Sequence, residues 1–509
     1  MMRQEADIPL VSDEPKTFAN RNDRILVCLL CFAAAIHVFI FSSAFPFFSN
    51  IDEYLHFDLI TQYSHGQFPR SFRPLKQETL DWIVTYASPE FLATPEQFPN
   101  GQFPAPLWKR SGPEVEAEIA ATKTAWSSEV NFESSQPPLY YALASVWWRI
   151  GRKAGLAGIQ SLYWIRFLNI PLIAIVVWMG YRAARMVAPE RVELRIGVPL
   201  LIAFIPQNVF YAMNNDVLSP VSFGALFLCS LQWLRAKNAS LWLGAVTGFA
   251  VAAAYLTKLS NLPLIAVTLV AVIVKLLLIV RRTSRTGLVA LGALIVCAAI
   301  PIGSWMVWTK YQFGDPTGST AKITLLGWTR KPFDDWWRHP IFTLRGLWLF
   351  WSNLMASFWR GEVSWHGRPL SWGLGDRFFA ISTLILLGSA TVGLRRRAGL
   401  STFQQQAIGI AILVFLAGVV FLALLSIQFD FGDSTGPSRG YPYFTAGRLL
   451  SGALIPFALA YVYGIAFLLR RTSAVVPPIV IGALAGFLVT SEMVINHTTF
   501  ASEHNWFHR

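Results

Sequence analysis

Residues 287–308 read GLVALGALIVCAAIPIGSWMVW, a run without one charged side chain. About 20 such residues in a helix cross the ~30 Å hydrocarbon core of a bilayer. Similar apolar runs recur along the chain, at approximately 25–47, 161–181, 194–213, 217–234, 240–257, 259–280, 287–308, 377–394, 404–427, 447–469 and 473–495. The sequence therefore predicts an all-α polytopic membrane protein with about eleven transmembrane helices.

The composition excludes a set of soluble domains. Of 509 residues, 54% are hydrophobic and 14% are charged, and the mean hydropathy is +0.45. The net charge of +13 comes mostly from Lys and Arg beside apolar runs, where such residues set membrane orientation, so we expect no nucleic-acid partner. The four cysteines all lie in apolar runs and predict neither a disulfide framework nor a structural metal site.

The distribution of Lys and Arg predicts the topology. The stretch LYYALASVWWRI, Leu139 to Ile150, is too short to span with ease. If it lies on the outer surface instead, the basic clusters between the apolar runs all face the cytoplasm, as the positive-inside rule requires. The clusters are Arg21 and Arg24; Arg182, Arg185, Arg191 and Arg195; Arg235 and Lys237; Arg281, Arg282 and Arg285; Arg395, Arg396 and Arg397; and Arg470 and Arg471.

This topology divides the chain into five parts. Both long outer loops exceed the usual length of a connector, which is typical of functional loops. The parts are a cytoplasmic N-terminal tail (1–24), a transmembrane module (25–308) that includes a first outer loop with juxtamembrane helices (48–160), a second outer loop (309–376), C-terminal transmembrane helices (377–496) and an outer tail (497–509).

A cluster of polar residues follows the first apolar run, in Asn50-Ile-Asp-Glu-Tyr-Leu-His56. In a helix, Asp52 and His56 share one face, which suits a general base with its orienting partner. Asp52 and Glu53 together are also candidate ligands for a divalent cation such as Mg²⁺ or Mn²⁺. The alternative is an ordinary acidic pair at a helix end.

A second polar element closes the first outer loop, in Phe132-Glu-Ser-Ser-Gln-Pro-Pro-Leu-Tyr-Tyr141. The double proline holds the preceding chain extended. Glu133 and Gln136 are therefore expected near the membrane plane, where they are candidate substrate-binding residues.

These two elements resemble motifs of the GT-C superfamily of integral membrane glycosyltransferases, including its bacterial mannosyl-, arabinosyl- and galacturonosyl-transferase-like members. Three further stretches are similar to GT-C elements and occur in the same order: Asn214-Asn215-Asp216, Leu256-Thr257-Lys258 and Gly447-Arg448-Leu449-Leu450. The chain departs from the pattern at Gln136, where many relatives carry His or Lys. A neutral amide supplies no cation there, so Lys258, Arg448 or a metal ion would take the phosphate.

The resemblance implies a polyprenyl-phosphate-linked sugar as donor and transfer with inversion to a glycan, lipid or protein acceptor on the periplasmic side. It implies Asp52 as general base, with Glu53 orienting the acceptor or binding the cation. Lys258 and Arg448 would bind the lipid phosphate, and Asp216 would line the same site. Glu362 and His366, in the second outer loop, are candidates for contacts with donor or acceptor.

Two other functions are compatible with the sequence. A transporter or flippase of lipid-linked saccharides also needs many helices, but such proteins usually carry charges near the bilayer midplane, and here the sequence places buried charge at helix ends only. A noncatalytic relative would look much the same. We expect a bacterial inner membrane with the N-terminus in the cytoplasm, and a solvated tail around His497, His504 and His508.

Overall fold

The computed structural model describes residues 20–280, 284–397, 399–434 and 436–508, without the side chains of residues 20, 21, 280 and 284. Part of the predicted cytoplasmic tail (1–19), Arg281 and Arg282 of one basic cluster, and Arg509 of the predicted outer tail lie outside the described residues.

The described chain is predominantly helical, with almost no sheet, as predicted. Its α-helices are α1 (Asn20–Ala44), α2 (Glu53–Ser64), α3 (Gln77–Tyr86), α4 (Pro113–Trp126), α5 (Leu139–Lys153), α6 (Ile159–Arg166), α7 (Asn169–Val187), α8 (Val192–Ala203), α9 (Ser219–Arg235), α10 (Leu241–Thr257), α11 (Leu262–Val280), α12 (Ser284–Phe313), α13 (Ser319–Leu325), α14 (Phe333–Trp336), α15 (Leu344–Arg360), α16 (Gly373–Arg395), α17 (Thr402–Gln428), α18 (Leu454–Leu468) and α19 (Val476–Phe500).

Within the described ranges, nine helical segments are long and apolar enough to cross a membrane. They are Asn22–Ala44, Ile159–Val187, Asn215–Arg235, Leu259–Ile279, Arg285–Phe313, Gly373–Arg395, Thr402–Gln428, Gly447–Leu468 and Val476–Phe500. The protein is an all-α polytopic membrane protein.

Two of the eleven predicted spans are not among these nine segments. The run at 194–213 forms a helix only as far as Ala203 and then continues as irregular backbone. Pro206 accounts for this end, because a proline disfavours helical backbone at the residue before it. The run at 240–257 forms the 17-residue helix α10, below the usual spanning length.

Helix α10 packs closely on α12 through two glycines spaced four apart. A Cβ atom at Gly244 would lie 2.2 Å from the carbonyl oxygen of Ala290, and one at Gly248 would lie 2.4 Å from that of Leu294. Small residues at this spacing let two helix backbones approach, as in GxxxG contacts. The close contact places the end of α10, and Lys258 after it, beside α12.

The stretch expected to form a surface helix is α5, with 15 residues. One face buries Tyr140, Tyr141 and Trp148, while Leu143, Val146 and Ile150 form an exposed apolar stripe on the other. Its length is below the ~20 residues of a span, and its amphipathic character is typical of a helix at a membrane surface.

The loops meet at one end of the helix bundle, which we call the loop face and define as residues 45–158, 314–372 and 429–446. The backbone N–H of Ser364 donates to the side chain of Asn50 at 2.9 Å, which joins the first long loop to the second. Two short antiparallel pairs of strands complete this face: β1 (Thr329–Arg330) with β4 (Phe429–Asp430), and β2 (Ser364–Trp365) with β3 (Arg368–Pro369).

Candidate functional site

Asp52 stands at the start of α2 in an unusual backbone conformation. Its φ of 65° and ψ of 18° lie in the left-handed region, and its carboxylate makes no capping bond to the helix. Aspartate and asparagine tolerate this region better than most other residues with a Cβ atom. The conformation leaves the carboxylate free of its own helix and about one-fifth exposed, where Arg448 binds it.

Arg448 joins three separate parts of the chain. One terminal nitrogen donates to Oδ2 of Asp52 at 2.7 Å and the other donates to the carbonyl of Ile51 at 3.1 Å. Its Nε lies 3.5 Å from Glu362 and 4.0 Å from Asp216, and this N–H makes no hydrogen bond in the part of the chain that is described. Arg448 is therefore the centre of a cluster of three carboxylates.

The glycine before Arg448 explains how the arginine reaches the cluster. A Cβ atom at Gly447 would lie 2.1 Å from the backbone nitrogen of Phe358. The N–H of Gly447 also donates to the side chain of Ser357 at 2.9 Å. Any larger residue would push the segment away from α15 and move Arg448 with it.

Asp216 and Lys258 form a buried ion pair at 2.5 Å. Asp216 is fully buried, at the start of the helical segment that becomes α9, and Lys258 ends α10 with 10% of its side chain exposed. The second carboxylate oxygen of Asp216 accepts no hydrogen bond from the described residues. The pair and Arg448 place two cations against Asp216, which keeps its charge compensated inside the protein.

The residues of the double-proline element form a second group beside this cluster. Glu133 accepts from Lys322 of α13 at 2.7 Å. Gln136 accepts from Asn215 at 3.3 Å, which ties the element to the neighbour of Asp216. His56 is buried and shares a hydrogen bond of 2.9 Å with Tyr141.

Burial and charge shift the pKa values of this group in opposite directions. Burial lowers the pKa of His56 to about 4, although Glu133 and Asp52 act to raise it. Burial acts to raise the pKa of Glu133, but Lys322, His56 and Lys258 together lower it to about 2. His56 is therefore a neutral ring at neutral pH, whereas Glu133 is ionised.

Burial also alters two groups beside Arg448. It lowers the pKa of the Lys258 ammonium, against the opposing effect of Asp216. It raises the pKa of Glu362, even though the Arg448 charge acts to lower it. Desolvated groups of this kind, in contact with specific charges, are typical of functional sites.

Glu53 does not join Asp52 in the cluster. Its carboxylate is fully buried and binds Arg166 through two contacts of 2.7 Å. The backbone N–H groups of Ser49 and Met213 donate to the same carboxylate at 2.9 and 3.0 Å. All of its oxygens are thus occupied by the protein itself, and Glu53 holds the turn that presents Asp52.

The residues present do not fit a divalent cation bound by Asp52 and Glu53. The two carboxylates are engaged by different arginines, Arg448 and Arg166. Throughout the described ranges, no group of three or more histidine, cysteine, aspartate or glutamate side chains is placed to hold a metal ion.

His366 lies apart from the Arg448 cluster. It occupies the β2–β3 turn at a φ of 51°, and its ring is 3.6 Å from Glu90 and packs on Phe103 and Trp365. Of the residues singled out in the sequence, the structure thus brings together Asp52, Asp216, Lys258, Glu362 and Arg448. Glu133, Gln136 and His56 lie alongside them, whereas Glu53 and His366 lie elsewhere.

Residues 34–436 of the chain match the family described as "Predicted membrane protein (DUF2142)". The chain belongs to the DUF2142 family. No curated protein matches it. The matched range ends before Arg448, the residue on which the cluster is centred.

Two charged residues that bind the predicted site residues of this DUF2142 protein were not predicted from its sequence. Arg166, in Tyr-Trp-Ile-Arg-Phe-Leu, is fully buried against Glu53, and Lys322, in Thr-Ala-Lys-Ile-Thr, pairs with Glu133. An arginine at the edge of an apolar run signals a buried partner, because an unpaired charge is costly there. Lys322 carries no such signal, since lysines are common in loops.

The C-terminal tail of the DUF2142 chain is packed, which corrects the expectation of a solvated tail. Ser502 donates to Glu90 at 2.5 Å, and His504 is buried 3.7 Å from the same carboxylate. The carbonyl of His508 accepts from Lys109 at 2.7 Å. The tail therefore packs on the first long loop through Ser502 and His504, whereas His497 and His508 remain exposed.

Proposed function

We propose that this protein is a membrane glycosyltransferase that moves a sugar from a polyprenyl-phosphate donor to an acceptor with inversion. The observation that carries the proposal is the contact between Asp52 and Arg448, with Lys258 and Asp216 beside it. Asp52 is a carboxylate that can act as a base, and it contacts Arg448 directly. Lys258 lies on the other side of Asp216, and both cations are suited to bind a phosphate. The resemblance of these five short motifs to GT-C elements supports the same reading.

In the proposed reaction, Asp52 accepts the proton of the acceptor hydroxyl as that oxygen bonds to the anomeric carbon. The bond from the anomeric carbon to the phosphate oxygen breaks, and the polyprenyl phosphate leaves with the electron pair. Arg448 and Lys258 stabilise the negative charge that grows on this phosphate. Attack opposite the leaving group inverts the anomeric centre.

Other residues of the cluster hold these groups in place. Asp216 fixes the Lys258 ammonium, and Glu362 accepts from the backbone N–H of Arg448 at 3.1 Å. Glu53, bound to Arg166, positions the turn of Asp52 and takes no part in proton transfer. The Nε of Arg448 faces Glu362 and Asp216, which fixes the plane of the guanidinium beside Asp52.

We further propose that the loop face lies outside the cytoplasm of a bacterial cell, where it would meet lipid-linked sugars in the outer leaflet. The support is the distribution of Lys and Arg along the chain, which favours the opposite end of the bundle for the cytoplasm. The acceptor is a glycan, a lipid or a protein on that side.

The test is transfer of label from a panel of radiolabelled polyprenyl-phosphate sugars in membranes that contain the wild type, Asp52→Asn or Asp81→Asn. Asparagine keeps the left-handed backbone of Asp52 accessible. Asp81 is a half-exposed carboxylate on α3, paired with Lys123, and serves as the matched control. We expect transfer with the wild type and Asp81→Asn but none with Asp52→Asn. Equal transfer with all three proteins would overturn the role of Asp52.

One observation favours the rival, a transporter or flippase of lipid-linked saccharides. His37 in α1 and Glu492 in α19 contact each other within two candidate spans, and Tyr211 donates to Glu492. This pair corrects the expectation that buried charge lies at helix ends only. Ionisable side chains inside a membrane often serve transport. Translocation of a fluorescent lipid-linked saccharide in proteoliposomes, lost in Glu492→Gln and kept in Asp52→Asn, would favour the rival.

A further inference from the structure

A polar cavity of about 310 Å³ lies beyond the end of α2, outside the Arg448 cluster. Arg70, Arg73 and Lys76 line it and are exposed. None of the three makes an ion pair in the part of the chain that the structure describes. The cavity therefore carries a concentrated positive charge.

The nearby carboxylates of Asp58 and Glu129 make no ion pair with these three residues among the described residues, because their oxygens accept hydrogen bonds from other side chains. Asp58 accepts from Gln62, Thr79 and Asn131 at 2.7 to 2.8 Å. Glu129 accepts from Tyr54 at 3.2 Å. The three cations are thus available to a ligand that brings its own negative charge.

An apolar groove of about 330 Å³ adjoins the cavity. Phe68 and Trp308 line both, and the groove continues along Leu256, Pro301 and Trp305. Trp305 and Trp308 belong to the candidate membrane span Arg285–Phe313. A ligand held by the basic cavity would therefore have an apolar surface of a membrane helix directly beside it.

Trp308 adds an unmet hydrogen-bond donor at the boundary of the two cavities. Its indole N–H is buried and makes no hydrogen bond to the described residues. Buried tryptophan N–H groups usually find a partner. An oxygen atom of a ligand in the basic cavity would supply one.

We infer that the basic cavity and the adjoining groove bind an anionic phospholipid of the bilayer, whose phosphate headgroup carries a net negative charge. Arg70, Arg73 and Lys76 bind the phosphate, Trp308 donates to one of its oxygens or to an ester oxygen beside it, and the apolar chain lies along Pro301 and Trp305. The groove favours a lipid over free phosphate, which has no chain to fill it. The site is separate from Lys258 and Arg448, which line neither cavity, and it does not rest on the proposed function.

The experiment is native mass spectrometry of the purified full chain in a neutral detergent, titrated with phosphatidylglycerol, with phosphatidylcholine or with inorganic phosphate. The test variant is Arg70→Gln, Arg73→Gln, Lys76→Gln. The control variant is Arg149→Gln, Arg152→Gln, Lys153→Gln, which removes the same residue types from the exposed end of α5. Thermal unfolding of each variant checks that it is folded.

We expect one tightly retained phosphatidylglycerol on the wild type. Because each basic residue strengthens binding to an anionic lipid, removing all three should weaken this binding by about tenfold or more. The control variant should change it by less than about twofold, and Trp308→Phe, which keeps the ring but loses the N–H, should weaken it by about threefold.

Three outcomes would overturn the inference. Equal losses of phosphatidylglycerol binding in the two triple variants would show that the lipid is attracted by positive charge anywhere on the protein surface. Equal retention of phosphatidylcholine would show that the anionic headgroup is not recognised. Binding of inorganic phosphate as tight as that of the lipid would assign the site to free phosphate. If the triple variant does not fold, Arg73→Gln alone replaces it, with Arg152→Gln as its control.

Discussion

The guanidinium of Arg448 donates to the carboxylate of Asp52 at 2.7 Å, across 396 positions of the chain. This contact joins the turn after the first helix to the segment before α18. It also brings the second long loop into the site, because Glu362 lies 3.5 Å from the same arginine. The geometry of Asp52 therefore depends on the end of the chain as much as on its beginning.

Arg448→Lys is expected to lower the rate of sugar transfer by about tenfold or more, because an ammonium group cannot reproduce the planar fork that reaches Asp52 and Ile51 together. The initial rate in membranes with equal amounts of protein measures the effect. Arg439→Lys is the control, since Arg439 is exposed and pairs with Asp430 at 3.3 Å. A rate within about twofold of the wild type would contradict the assigned role of Arg448.

Glu53→Gln is expected to reduce the amount of folded protein rather than act on the chemistry alone. Removing one partner of a buried ion pair costs about 3–5 kcal/mol, because Arg166 would keep an uncompensated charge. The yield of monodisperse protein and its midpoint of thermal unfolding report the loss. Glu78→Gln, at a half-exposed carboxylate near His65, should leave both unchanged; an equally small effect at Glu53 would show that its ion pair is dispensable.

Lys258→Met and Asp216→Asn are each expected to destabilise the protein, because each leaves one charge of a buried pair without its 2.5 Å partner. The double variant should recover most of the lost stability, since neither charge remains. It should not recover transfer, which needs the Lys258 cation. Midpoints of thermal unfolding for the four proteins form a double-mutant cycle, and strictly additive losses would argue against the pair.

Acidification is expected to destabilise the folded protein through His56. Its pKa is lowered from 6.5 to about 4 by burial, so the unfolded chain binds the proton first as the pH falls. The stability that this group contributes is complete above pH 6.5 and is lost as the pH falls towards 4. Midpoints of thermal unfolding at pH 7 and pH 5 measure the loss.

His56→Gln should reduce this dependence on pH, whereas His65→Gln, at an exposed histidine just after the same helix, should not. Part of the dependence will remain because burial also lowers the pKa of His504 to about 4. Glu133 does not interfere between pH 5 and 7, since its pKa is lowered from 4.5 to about 2. An unchanged pH dependence in His56→Gln would contradict the assignment.

The helical architecture could be predicted from local patterns of hydrophobicity. Runs such as 287–308 and 404–427 have only one stable form in a bilayer, because every backbone polar group must be satisfied within the segment. The break after Ala203 was also encoded locally, by Pro206, but the apolar run around it concealed the signal. Helix ends within an apolar run depend on single residues that hydropathy does not weigh.

Only some residues of the polar cluster could be predicted from the sequence. Short motifs indicated Asp52, Asp216, Lys258 and Arg448, which the structure brings together. Lys322 and the packed tail around His504 were not foreseen, because their partners, Glu133 and Glu90, lie in a distant loop. Nothing in a local pattern reports which loops will meet.

Asp52 and Glu53 show the difference between what the order of residues predicts and what long-range packing adds. The order of residues alone shows that two carboxylates follow the first membrane helix, because the apolar run before them is long enough to span a bilayer. The arginine that each carboxylate meets depends on long-range packing: Glu53 turns inward to Arg166, whereas Asp52 faces Arg448. Asp52 has left-handed backbone and Glu53 is the first residue of α2, so their side chains point in different directions, and the partner of each comes from far along the chain. Burial and long-range charge thus assign different roles to two adjacent acids.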